Sequence, residues 1–139
     1  MIYSEWVIPN RNSILRGEIM EFINKIYLSY ASLQYAINIC QEKERYQVSI
    51  AVEDEESYKE AKDFLSTLAK DCDNIAQFAD SKYKFNFHIY FKNGSLIRFI
   101  NASGNAKGQR YHLLISDKNV SEDVMKCVIL PCWQPYRER

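Results

Sequence analysis

Apolar positions recur along this chain in two rhythms. Between Arg16 and Lys43 they fall at Ile19, Phe22, Ile23, Ile26, Tyr27, Tyr30, Leu33, Ile37 and Cys40. Steps of three and four place these side chains on one helical face, so the pattern predicts a long amphipathic helix over about 16–43. Met20, Leu28, Tyr35 and Ile39 widen the stripe and predict contact on more than one side. The polar run from Gln41 to Arg45 ends it. Upstream, Trp6-Val7-Ile8, stopped by Pro9, reads as a first strand.

The second rhythm has a period of two. Val48, Ile50 and Val52 alternate with small residues, as expected of a strand buried on both faces. After the acidic run Glu53–Glu56, a second helix is expected, ending near 71–74. Tyr58, Ala61, Leu65, Leu68 and Cys72 would share its inner face, and Ser57 and Glu60 have the spacing of a capping box. Phe85, Phe87, Ile89 and Phe91 alternate with Asn86, His88 and Tyr90, predicting a strand with two unlike faces. Asn93-Gly94 predicts a type I′ turn into a returning strand, Ser95–Ile100. Tyr111–Ser116 reads as another buried strand, Ser121–Asp123 as a helix start, and Val128–Leu130 as a last strand. Strands alternating with helices predict a small three-layer α/β domain over 1–139, with a mostly parallel sheet plus a β-hairpin.

Length and composition narrow the class. At about 100–200 residues per domain, 139 residues make one domain. Four glycines and three prolines exclude collagen-like and linker-like chains and leave little material for a glycine phosphate cradle. The start, Met1 to Trp6, lacks the basic and apolar regions of a signal peptide, and no run of 18 apolar residues occurs. The expectation is a cytoplasmic chain with no membrane contact. Cys40, Cys72, Cys127 and Cys132 form no C-x-x-C pair, and His88 and His112 stand apart from them. They are expected as reduced thiols, with no metal and no cofactor.

Net charge is zero, with 18 basic and 18 acidic residues, yet the charge is segregated. Residues 42–80 hold 11 acidic and 5 basic groups, whereas residues 81–118 hold 7 basic groups and only Asp117 as an acid. Lys92, Arg98, Lys107 and Arg110 are therefore candidates for a basic binding face toward nucleic acid or an acidic partner. Ten tyrosines, Tyr90 and Tyr111 among them, offer stacking or contact surface.

Several segments carry a resemblance. The helix-forming run Glu56–Leu65, the hairpin Ile89–Phe99 with its Asn93-Gly94-Ser95 wording, the loop Lys107-Gly108-Gln109-Arg110 and the strand Leu113–Ser116 ending at Asp117 occur in a set order. Over about 46–118 this order resembles the ATPase core of the phage terminase large subunit. The resemblance implies a P-loop-NTPase-like scaffold of phage origin, Lys107-Gly108-Gln109-Arg110 at the place of the family's Arg-Gly-x-Arg loop, and the Walker B position at Asp117 and Lys118. The chain departs from that family in its chemistry. G-x-x-x-x-G-K-[ST] is absent, and Pro9–Gly17, expected where the P-loop would lie, has no lysine. Lys118 stands where the catalytic glutamate would follow Asp117, leaving a vestigial Walker B pair.

The sequence thus points to a non-catalytic, phage-derived binding protein on a terminase-like scaffold. It would act by protein contact, for example by inhibiting a host-defence or packaging component. Two other readings stay open: a nucleic-acid-binding module using the basic hairpin face, and a nucleotide-binding domain without turnover. The expected outcome of a phosphate-release assay with Mg-ATP is a rate below ~0.1 per second, against a median near 10 per second for working enzymes. A faster rate abolished by Asp117→Ala would refute the non-catalytic reading.

Overall fold

The computed structural model describes residues 25–80, 85–102, 110–118, 120–121, 129 and 132–137. The elements are β1 (Lys25–Tyr27), α1 (Tyr30–Glu42), β2 (Gln47–Val52), α2 (Glu55–Ala69), β3 (Ile75–Asp80), β4 (Phe87–Phe91), β5 (Leu96–Asn101) and β6 (Leu113–Ser116). They form a six-stranded sheet in the order β1-β6-β2-β5-β4-β3. The first four strands in that order are parallel, and β4 runs antiparallel to both β5 and β3.

β2 lies at the centre of the parallel region. Its residues from Val48 to Val52 are all buried, as the small-residue alternation predicts. Val48 aligns with Ile97 and Leu113, and Ile50 with Phe99 and Ile115, so these side chains share one sheet face. Leu33, Ile37 and Cys40 of α1 and Tyr58, Ala61 and Leu65 of α2 complete the core on that face. The other face holds a smaller cluster, in which Ala51, Leu114 and Tyr111 meet Ile129, Cys132 and Trp133. Both helices therefore cover the same side of the sheet. Among the described residues no helix supplies the third layer that the sequence predicts.

The long first helix is a correction. Lys25–Tyr27 is a strand paired with Leu114–Ser116, and the helix begins only at Tyr30. Ser29 and Ser32 set the boundary. Ser29 Oγ accepts from Ser32 N–H at 3.0 Å, and Ser32 Oγ accepts from Ser29 N–H at 2.8 Å. This reciprocal cap stabilises a helix start that apolar spacing alone runs through. The expected cap at Ser57 and Glu60 is also displaced: the N-cap is Asp54, three residues earlier, with no side-chain hydrogen bond there. β3 has no counterpart in the sequence reading, because its residues are mostly exposed on an edge and leave no alternating signal. A bulge between Ile75 and Gln77 interrupts its pairing with β4. The strand expected at 6–8, the helix start at 122–123 and most of the last strand at 128–130 lie outside the described residues.

The β4–β5 turn departs from type I′. Among the described residues only Arg45, Phe85 and Gly94 have positive φ, so Asn93 does not. Gly94 N–H donates to Phe91 O and Phe91 N–H to Ser95 O. This is a three-residue loop with the glycine as a left-handed bulge residue. The geometry frees Asn93 to clasp the end of α1, its Nδ2 donating to Cys40 O at 2.8 Å and Lys43 O at 3.2 Å. Ser95 Oγ donates to Lys43 O at 2.5 Å. Helix carbonyls that would otherwise lack partners are thereby satisfied.

Gly94→Val is expected to lower stability by more than ~1 kcal/mol, measured as a fall in melting temperature. The φ of +88° strains any β-branched residue, and a Cβ there would lie 3.1 Å from Arg45 Cγ. An unchanged melting temperature would mean that the turn is not held in this form.

Candidate binding interface

Sheet register decides which polar side chains meet on the face away from the helices. Ala79, His88, Arg98, Ser49, Leu114 and Lys25 are aligned neighbours across all six strands. They form one row, because paired positions point to the same side. Tyr90, Leu96 and Gln47 lie in the next row. Toward β6 this face is covered by Ile129, Cys132 and Trp133; toward β4 and β3 it stays accessible, with Tyr90 exposed and His88 and Arg98 half-buried.

Arg98 is the centre of this accessible half. Its guanidinium donates to the backbone carbonyl of Arg110. Nε is buried and meets no acceptor, and the aligned Ser49 Oγ is likewise buried without one. Burial lowers the Arg98 pKa, while nearby Tyr90 and Cys132 partly offset this by favouring the cation. A guanidinium remains charged at neutral pH even so. His88 and Tyr90, two positions apart on β4, hold their rings 8° from parallel with centroids 5.9 Å apart. No carboxylate occupies the described strand positions on this face. Asp80 points to the other side, where it receives the Lys62 ammonium at 2.5 Å.

The described site residues divide among three places. Arg98 and Arg110 are brought into direct contact. Lys92 is exposed in the β4–β5 turn, apart from that contact. Lys107 lies outside the described residues. Asp117 and Lys118 stand at the C-terminal end of β6, lining a crevice of about 540 Å³ with Tyr27, Ser29, Tyr30 and Glu60. Asp117 is buried, and its backbone N–H donates to Ala51 O at 2.9 Å. Among the described candidates, Lys92, the Arg98–Arg110 contact and the Asp117–Lys118 pair are therefore not one site.

The connection that enters α1 from β1 is Leu28-Ser29, not the segment 9–17. Two residues without glycine cannot wrap backbone N–H groups around a phosphate as a P-loop does. Among the described residues no three His, Cys, Asp or Glu side chains gather as a metal site. At the opposite end of the sheet, a cavity of about 790 Å³ is lined by Lys43, Arg45, His112 and Tyr136. His112 Nδ1 lies 3.0 Å from the carbonyl of Gln134, and only its N–H form can donate there. The sequence reading did not assign this cavity, because its walls come from segments far apart in the chain. No known family model, curated protein or solved structure matches the chain.

His88 gives this face a pH signature. Burial first, and the Arg98 charge second, hold its pKa below the ordinary histidine value. Unfolded His88 takes up a proton near about pH 6.5, whereas the folded chain resists until lower pH. Its contribution to stability is therefore full above about pH 6.5 and lost as pH falls toward the folded value. Melting curves between about pH 7.5 and 5 should show a smaller decline for His88→Gln than for the parent chain. Equal declines would place His88 in water.

Proposed function

We propose that this chain is a non-catalytic binding protein whose working surface is the sheet face opposite α1 and α2, and that its partner is anionic there. The observation that carries the reading is Arg98, held by the Arg110 carbonyl on a face whose described strand positions hold no carboxylate. Charge distribution supports it. The acidic groups of residues 42–80 include Glu55, Glu56, Glu60 and Asp63 on α2, on the opposite side of the sheet. A partner thus meets a positive face backed by a negative layer, an arrangement that steers orientation as well as binding.

The absence of turnover rests on three features: no G-x-x-x-x-G-K-[ST] motif, the two-residue connection into α1, and Lys118 after Asp117. The terminase-like origin of residues 46–118 belongs to the same proposal. Its support is the succession of β2, α2, the β4–β5 hairpin and β6 ending at Asp117. On this reading the scaffold is kept and the phosphate chemistry discarded, leaving a protein that acts by occupying its partner.

Heparin affinity chromatography tests the surface. Lys92→Glu combined with Arg110→Glu changes only exposed side chains, so the melting temperature should stay nearly constant. Elution should move to clearly lower salt, because each lost cation–anion contact reduces the salt dependence by about 0.7–0.9 in logarithmic slope. Adding Lys107→Glu should extend the shift. Identical elution of parent and variant would leave the charge segregation as ordinary solvated surface.

A further inference from the structure

The accessible half of the face opposite α1 and α2 combines three things that a general anion site does not need together. Two rings lie almost parallel on adjacent same-face positions of β4. A half-buried guanidinium stands directly across the ladder from one of them, at Arg98 beside His88. The surroundings are small or neutral: Ala79 and Gln77 on β3, Leu96 on β5. From this juxtaposition we infer that the anionic partner is single-stranded nucleic acid, with a base against Tyr90 and His88 and the adjoining phosphate at Arg98. The inference rests on the proposed anionic partner and names its class.

The physical argument is one of matching groups. Every base carries a π-face, and an unpaired base can lay it on an aromatic side chain regardless of sequence. Paired bases inside a duplex have no free face to offer, so a duplex would meet this surface through phosphates alone. Same-face positions two apart on a strand are separated by about 6.6 Å, and neighbouring strands by about 4.8 Å. Arg98 is thus close enough to receive a phosphate linked to a base seated on β4. Its anchor on the Arg110 carbonyl limits the entropy lost when that phosphate is held. His88, kept neutral by burial and by Arg98, adds a ring without a second fixed charge. An acidic protein would use the guanidinium, whereas a base also has a use for the nearly parallel rings of His88 and Tyr90 beside it.

The experiment compares four probes by fluorescence anisotropy at low and moderate salt. They are an oligothymidylate of about twelve nucleotides, a duplex of matching length, heparin and poly-glutamate. The parent chain should bind the single strand about tenfold or more tighter than the duplex. Tyr90→Ala should weaken single-strand binding by about tenfold while leaving heparin binding unchanged, and Tyr90→Phe should retain it. Arg98→Gln should weaken both. Because Arg98 is half-buried, each variant's melting curve is recorded, and Arg110→Glu provides a surface variant for the same comparison. Equal affinity for duplex and single strand, or no effect of Tyr90→Ala, would overturn the inference. Binding of poly-glutamate and heparin without the oligonucleotide would assign an acidic protein partner, so the inference would fall and the proposed function would stand. Binding of none of the four would overturn both.

Discussion

Everything in this fold hangs on β2 being buried between strands that come much later in the chain. Tyr46 N–H donates to Ser95 Oγ across 49 residues, and β6 pairs on the other side from still further away. Closing a loop of that size costs about 3 kcal/mol beyond a constant term. Val48, Ile50 and Val52, each fully buried, contribute roughly 1.5–3 kcal/mol apiece. Burial of this one strand therefore outweighs the closure it demands, but only once both neighbours are in place. The clasp of Asn93 and Ser95 on the end of α1 joins the β4–β5 turn to the helix that precedes β2. It fixes the level at which β5 meets β2.

That constraint explains which parts of the fold were legible. β2, α2, β4, β5 and β6 each have a periodicity imposed by a buried face, and their residue patterns announce them. The apolar spacing through Ile26 and Tyr27 continues smoothly into that of α1, so it cannot mark where strand becomes helix. Ser29 and Ser32 mark it, through hydrogen bonds that periodicity does not register. β3 was invisible for the opposite reason. Its place on the sheet edge asks little of Ala76, Gln77 or Phe78, and an element that buries little leaves little trace. The Asn93-Gly94 pair announced a turn correctly, but not its type, because the competing use of the Asn93 amide as a helix cap depends on α1 lying alongside.

The candidate interface was half legible. Alternation already set His88 and Tyr90 opposite the phenylalanines, and Arg98 opposite Ile97 and Phe99. The register that puts His88 beside Arg98, and Arg98 beside Ser49, is a property of strand pairing and appears only in the sheet. The same pairing separates groups that charge counting had gathered: Lys92 belongs to a turn, and Asp117 and Lys118 belong to a crevice at the far end of β6. A count of charges along a chain shows that a face is basic. The order of the strands determines which charges can act on one ligand.

The bulge between Ile75 and Gln77 bears on how copies of this molecule meet in a crowded solution. Among the described residues β3 has a strand on one side only, so its other side offers N–H and C=O groups to any extended segment that aligns with them. A regular strand would let two copies join edge to edge and the sheet continue from molecule to molecule. The bulge shifts the spacing of those groups and twists the strand end, and Asp80, near its other end, adds charge. The small irregularity therefore opposes self-propagating assembly while leaving the face opposite α1 and α2 clear for a different partner.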